Sequence, residues 1–333
     1  MTPRRRLTLL ALLSIGAPAL SMIALVPEPV AAQQHTATAV AKDSSSDEAQ
    51  DDDSDSDDDA TSTPDEPPDA GRVVDFARML KPGRDLSRAM PVDVQYASGT
   101  LTIGAAPAPY LYDVRVTGPA ERNDAIVHYD TLNHALRVSA SEHHDVSVKL
   151  GDGGSHEHGD QNVRIGLAPG VPLELALEFG AGDLRANLGG LSIRRLNIRT
   201  GATDAEVHFR EPNPIAMESM DIAVGAAGFV GTGFGNARAR SIMLRAGAGD
   251  VDLDFSGQWN GNVTLDVTAA LGAVHVHVPP DVVVDNAARV IIGSMDNAGA
   301  ATPSANGRPT YHLHLVGTAT LGSVEVDRKV RQQ

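Results

Sequence analysis

The chain has 333 residues, no cysteine, 4% aromatic residues and a formal net charge of −16. Without cysteine there is no disulfide framework, thiol chemistry, thiolate-bound metal or bacterial lipobox. The acidic balance and the lack of a basic patch argue against nucleic acid and anionic lipid, and the few aromatics leave Val, Leu, Ile and Ala to build a thin core.

Arg4, Arg5 and Arg6, an apolar run from Leu7 to Val26, and Val30-Ala-Ala32 before Gln33 form the three parts of an export signal. Residues 1–32 are read as a signal peptide removed after Ala32, with Gly16, Pro18 and Pro27-Glu-Pro29 favouring cleavage. The alternative is an uncleaved anchor, since a run of about 20 apolar residues is long enough to cross a bilayer. Residues 33–71 are read as a disordered acidic linker. Asp43 to Ala70 holds 13 acidic residues and almost nothing apolar, so burial cannot offset the entropy of the chain. This tail is a spacer, a Ca²⁺-attracting brush or a plain solvated linker. From residue 71 onward the chain carries 23 basic and 29 acidic side chains, a mild net of −6.

Residues 72–170 read as an N-terminal β section. Val73 to Leu80 suggests a short helix stopped by Pro82-Gly83. Val92 to Ile103 is a β unit with Gly99 at its middle. Strands follow at Tyr110–Val116, Ala125–Tyr129, Ala135–Val138, Val146–Leu150 and Val163–Leu167, with hairpin-type Gly, Asn and Asp between them. An antiparallel section of this kind caps a repeat array.

Residues 171–328 carry the array, and 329–333 are a short tail. Five times an apolar alternation enters a small turn and leaves as another alternation, as in Leu177-Glu-Phe-Gly-Ala-Gly-Asp-Leu184 and Met243-Leu-Arg-Ala-Gly-Ala-Gly-Asp-Val251. Aligning Gly182, Thr203, Ala227, Gly249 and Gly272 gives steps of 21, 24, 22 and 23 residues. The period within each unit is two, so the units are strands, with Leu184, Ala186 and Leu188, then Ala205, Val207 and Phe209, then Val251, Leu253 and Phe255, then Val274, Val276 and Val278 facing inward. The unit from Ile222 to Gly233 is the most degenerate. Ala288–Ile292, Tyr311–Val316 and Leu321–Val326 close the stack around a polar loop. The fold class expected is all-β, a single-stranded β-solenoid of about 21–24-residue repeats.

Val94 to Gly104 with Tyr110 to Val116, then Val127-His-Tyr-Asp130 and Leu136-Arg-Val138, resemble the N-terminal part of the toastrack family of bacterial envelope proteins. Leu175 to Pro279, with Gly-Ala-Gly at 180–182 and 247–249 and the closing Leu321-Gly-Ser-Val-Glu-Val326, resembles its β-solenoid body, also described as an adhesin domain. The resemblance covers about residues 72–328 and implies an extracytoplasmic, non-catalytic solenoid with relatives in cell-wall-stress sensing and adhesion. The membrane bundle of the stress sensors is missing from this sequence.

Histidine is the main candidate for chemistry: His143-His144, His156-Glu-His158, His275-Val-His277 and His312-Leu-His314. His275 and His277 project from one strand face about 7 Å apart, a spacing that can chelate Zn²⁺ or Cu²⁺ with one further ligand. Val274, Val276 and Val278 take the core face, so these histidines, like His208, are read as outer polar residues. The loop Gly151 to Asp160 is a metal trap by composition or a plain hairpin loop. Asp250, Asp252 and Asp254, with Asp183 and Asp204 in the slot equivalent to Asp250, suggest a Ca²⁺ ladder or an acid and base pair for polysaccharide cleavage. Against it, there is no tandem Gly-Gly-x-Gly-x-Asp, aromatic platform or basic cluster nearby, and surface acids are the simpler reading. There is no Gly-x-Ser-x-Gly, P-loop or His-Glu-x-x-His. Leu188 to Ile198 mimics a leucine-rich repeat once, with Leu196 where Asn belongs. Asn262-Val-Thr264 is a lone sequon, and Trp259 stacks on a sugar or covers a core corner.

Catalytic, cofactor and metal residues are therefore expected to be none. The function expected is an exported, non-catalytic, envelope-associated adhesin-like or scaffold module whose partners are envelope glycan or protein, or another copy through solenoid faces. A membrane is a partner only if the first segment stays uncleaved. The rivals are a secreted polysaccharide-active β-helix enzyme and a membrane-anchored sensor ectodomain. The exported protein should begin within about three residues of Gln33; N-terminal sequencing or intact mass checks this, and retention of Met1 would favour the anchor.

Overall fold

The computed structural model describes residues 72–118, 125–140, 161–226, 228–302 and 311–328. The export segment, the acidic stretch to residue 71, the strand expected at Val146–Leu150, the loop from Gly151 to Asp160, His143-His144 and the tail 329–333 lie outside these residues. No helix among the described residues is long and apolar enough to cross a membrane.

In chain order the elements are β1 (Arg72–Met79), α1 (Pro82–Asp85), β2 (Met90–Ala105), β3 (Tyr110–Gly118), β4 (Ala125–Asp130), β5 (Ala135–Ala140), β6 (Asn162–Leu167), β7 (Leu173–Asn187) and β8 (Ile193–His208). They continue as β9 (Ser219–Ala226), β10 (Phe229–Thr232), α2 (Phe234–Ala237), β11 (Ser241–Ala248), β12 (Val251–Asp254), β13 (Val263–Val278), β14 (Val283–Asn286), β15 (Arg289–Asp296) and β16 (His312–Arg328). The described residues are almost entirely β, and their strands join in one 16-stranded sheet.

The long strands owe their length to a joint. In β7 the buried set is Leu173, Leu175, Leu177 and Phe179, then Leu184 and Ala186. Odd positions face inward before Gly180-Ala-Gly182 and even positions after it. Strict alternation would send the second half outward, so this change of phase is what keeps both halves on one core as the chain bends. The same change occurs in β13, from Val263, Leu265, Val267 and Ala269 to Val274, Val276 and Val278.

Successive joints stack in parallel register, Gly99 on Gly182 on Thr203 at one end and Gly272 on Gly322 on Gly293 at the other. Gly272 has φ +120, and a Cβ there would run into the carbonyl oxygen of Gly249 in the preceding strand pair. Glycine is required twice over, by the left-handed backbone and by the close approach. Thr203 takes this row in β8 with ordinary backbone, and its hydroxyl donates to the Gly180 carbonyl at 3.3 Å.

The parallel, solenoid-like stack runs β2, β7, β8, β9 with β10, β11 with β12, β13, β16, and finally β14 with β15. The degenerate unit does form a strand: β10 lies parallel between β8 and β12. The closing strands differ from expectation. The strands expected at Tyr311–Val316 and Leu321–Val326 are one strand, β16, which begins at His312 and inserts between β13 and the β14–β15 pair that precedes it in sequence. Arg328 fixes this end: its guanidinium donates to the carbonyls of Pro279, Pro280 and Val282 at 3.0–3.2 Å and to Gly299 at 2.7 Å.

At the other end β2 pairs in parallel with β5 before its joint and with β6 after it. Antiparallel strands then finish the end: β4 on β5, β3 on β6, and β1 on β3. The helix expected at Val73–Leu80 is strand β1, because Val74, Phe76 and Arg78 alternate with exposed Val73, Asp75 and Ala77 and the open edge of β3 supplies backbone partners. Pro82-Gly83 does not stop a helix; Pro82 begins the single turn α1, whose buried Asp85 accepts from the Lys81 N–H at 2.7 Å.

Val251 and Leu253 are buried in β12 and Asp252 points out between them. Val251→Asp should unfold the protein, because an unpaired buried carboxylate costs several kcal/mol beyond the roughly 1.5–3 kcal/mol lost with the side chain. Asp252→Val should cost no more than about 1 kcal/mol. Urea midpoints in the opposite order would show the register to be wrong.

Candidate functional site

The outer face of the strand halves after the joint collects most of the acids and histidines singled out above. Its polar rows follow from register: Asp252 pairs with His275 and His275 with Glu325, while Asp254 pairs with His277 and His277 with Asp327. His277 is the centre. Its Nδ1 lies 2.5 Å from Asp327 Oδ1 and its Nε2 lies 3.3 Å from Asp252 Oδ1, so the imidazole is clamped between carboxylates of two flanking strands. His275 Nδ1 lies 3.3 Å from Glu325 Oε2. Burial of the His277 ring opposes its charge, but the hydrogen bond to Asp327 and the charges of Asp252 and Asp327 outweigh this, and its pKa is raised.

The three aspartates do not act as one outer set. Asp250 is exposed, and its carboxylate accepts from the Ala273 N–H at 3.1 Å. Asp252 is half-buried beside His277. Asp254 is buried rather than outward, because the chain turns directly after it and its Oδ1 accepts from the Ser256 N–H at 2.8 Å. The Asp183 and Asp204 slots do adjoin. Gly228 then interrupts the ladder before Asp250: its carbonyl accepts from Ala205 N–H, and Phe229 N–H donates to the Asp250 carbonyl.

His312 and His314 lie on the half of β16 before the joint. Their rings stack with centroids 5.8 Å apart, and Asp285 Oδ2 sits 2.9 Å from one Nδ1 and 3.1 Å from the other. One carboxylate is thus shared by two imidazoles. Among the described residues no group of three or more His, Asp and Glu is arranged to hold a metal ion. His208 contacts Thr232 Oγ1 at 2.7 Å and Glu206 at 3.4 Å. Trp259 covers a core corner: Nε1 donates to the Phe255 carbonyl at 2.9 Å, and the ring stacks with Tyr311 at 6.4 Å.

An open groove of about 690 Å³ lies nearer the N-terminal end, lined by Gln95, Tyr96, Glu178, Phe179, Arg199 and Thr200. Tyr96 and Phe179 stack at 5.4 Å, and Arg199 pairs with Glu178 at 3.0 Å across neighbouring strands. Its floor is the joint itself, so a ligand there meets backbone and a cross-strand ion pair. The carboxylate partners Asp285, Glu325 and Asp327 were not evident as site residues from sequence, since Asp327 lies 50 residues from His277. The one available signal was the matching period of two in Val274 to Val278 and Val324 to Arg328.

The fold defines the class: an all-β, parallel, solenoid-like protein with its polar chemistry spread along outer faces. Residues 82–228 match the family model described as the N-terminal domain of toast_rack, DUF2154, and this segment is a toastrack-type domain. No curated protein matches it. Among solved structures, one titled "putative cell adhesion protein", from Clostridium sporogenes, aligns at 15% identity over 78% of this chain and 100% of its own, with a TM-score of 0.38. A "putative adhesin" from Bacteroides fragilis aligns at 13% over 77% of this chain and 97% of its own, with a TM-score of 0.37.

The raised pKa of His277 has a definite sign. The clamp stabilises the folded state fully below the ordinary imidazole pKa of about 6.5 and loses that contribution as pH rises through the raised folded value. Buried His134 has the opposite sign, its pKa lowered by burial despite Asp85. The comparison of variant with native therefore isolates the clamp: His277→Gln should cost more stability near pH 6 than near pH 8, read from urea midpoints at both. An equal cost at both would mean that the clamp does not hold a charged ring.

Proposed function

We propose that the protein is an exported, non-catalytic β-solenoid of roughly 21–24-residue repeats that works at the cell envelope as an adhesin-like or scaffold module. Its partners are envelope glycan or protein, or another copy of itself, met through the long outer faces. The observation that carries this reading is that the acids read from the sequence as one outer set are occupied within the fold. Asp252 and Asp327 hold His277, Asp250 holds the Ala273 N–H, and Asp254 holds the Ser256 N–H within a turn. Carboxylates committed to neighbouring strands are stitching, whereas an acid and base pair must be free to exchange protons with a substrate.

The toastrack-type domain at residues 82–228 agrees with this reading, and the rows of repeated side chains suit it physically. A repetitive surface binds a repetitive polymer or a matching edge weakly many times, and the contacts add through avidity.

The purified chain should release neither reducing sugar nor unsaturated product from envelope or plant polysaccharides, with or without Ca²⁺ or Zn²⁺, and should sediment with isolated envelope material. Turnover that disappears in Asp250→Asn or Asp252→Asn would establish an enzyme instead.

A further inference from the structure

The last strand of the stack is unfinished. β15 pairs with β16 on one side, and among the described residues nothing pairs with its other side. An open edge presents unused backbone donors and acceptors, and soluble proteins usually protect it with Lys, Pro or a covering segment. β15, Arg-Val-Ile-Ile-Gly-Ser-Met-Asp, has no Lys or Pro. Ile291 and Ile292 are 65% and 62% exposed. Ile292 also ends an apolar row along the outer corner. In register from the first strands this row runs Ser98, Ala181 and Ala202, and it finishes as Leu271, Leu321 and Ile292. Small residues give way to large, exposed ones as the edge is approached.

The sequence of β15 is complementary to its own reverse. About a two-fold axis between Ile292 and Gly293, antiparallel pairing sets Arg289 opposite Asp296 of the second copy, and does so twice. Val290 then faces Met295, both half-buried, and Ile291 faces Ser294, both exposed. Directly opposite residues in an antiparallel pair point to the same side, so the inward and outward sets agree across the axis. Among the described residues neither Arg289 nor Asp296 has an ion-pair partner in its own chain. The bend at Gly293, φ +142, does not prevent the pairing. An axis running radially out through the corner reverses strand direction but keeps the core side inward, so the second copy bends the same way.

We propose that β15 is a homodimer edge, on which a second copy adds its own β15 antiparallel and continues the sheet through a closed two-fold interface. This specifies the self-association within the proposed function, and envelope capture by a chain that stays monomeric would sink the dimer while leaving that function in place.

The full chain, purified after export, should have the mass of a dimer by light scattering at tens of micromolar. Arg289→Glu and Asp296→Arg should each raise the dissociation constant at least about tenfold, since each sets like charges opposite across the axis twice. The double variant Arg289→Glu with Asp296→Arg should restore the native value. Because the chain has no cysteine, Ile291→Cys with Ser294→Cys reads the register directly. The two sit about 10 Å apart within one strand, too far to bridge, and should oxidise only to a covalent dimer. A native chain that stays monomeric, a charge swap without rescue, or growth into open-ended assemblies would overturn the proposal; far-UV circular dichroism spectra that match the native chain show the variants to be folded.

Discussion

The fold depends on one tight passage. Each time the chain crosses from one strand half to the next, its backbone lies directly against the carbonyl of the strand stacked on it, and the alternation of side chains changes phase. The φ of +120 at Gly272 and the lack of room for a Cβ there are two faces of the same constraint. Close stacking at the joint allows parallel strands to stay in register for 15 residues along β13 and β16. Register in turn places His277 between Asp252 and Asp327. The outer chemistry is therefore a by-product of a backbone contact on the corner.

That dependence explains which parts of the molecule were legible in the sequence. Inward positions were readable because only a period of two with one change of phase buries Leu184 after Phe179, or Val274 after Ala269. The joint was readable through Gly-Ala-Gly, where steric demand leaves little choice of residue. Val73 to Leu80 was misread because a helix was suggested by a local pattern that the structure resolves as alternation; the deciding term, the open edge of β3, lies some 40 residues away. The order of β14, β15 and β16 was likewise hidden. All three alternate acceptably, and which of them touches β13 depends on long-range pairing.

The outer face was only half legible. A strand's outer positions tolerate many polar residues, so His275-Val-His277 alone does not separate a ligand pair from solvated surface. Its meaning comes from Glu325 and Asp327 one strand over. Asp254 shows the reverse failure: alternation placed it outside with Asp250 and Asp252, but the turn at Ser256 draws it in, and its carboxylate satisfies a backbone N–H. Buried Asn213 and Asn236 escaped notice altogether. Each spends its amide on backbone groups of neighbouring turns, Asn213 on Ile193 and Ala237 and Asn236 on Phe209 and Gln258. Nothing in the spacing of a lone Asn distinguishes such a tie from a surface turn residue.

The two ends of the stack solve the edge problem in different ways. At the N-terminal end, antiparallel strands cover the parallel array and are tied down by polar contacts: Asp75 with Arg115, Arg78 over the Tyr129 ring at 4.2 Å, and Arg84 and Arg88 on the turn carbonyls of Thr131 and Leu132. At the C-terminal end, Arg328 secures the loops around the core, yet β15, unpaired on its other side among the described residues, keeps two bare isoleucines. If both ends needed only solubility, the same devices would serve at each. A strand laid alongside removes part of this apolar area from water, at roughly 25 cal/mol per Å², so an edge left this apolar gains from being covered. The N-terminal edges β1 and β4 are thus tied to their neighbours by polar contacts, while β15 adds to its open edge a sequence that matches its own reverse.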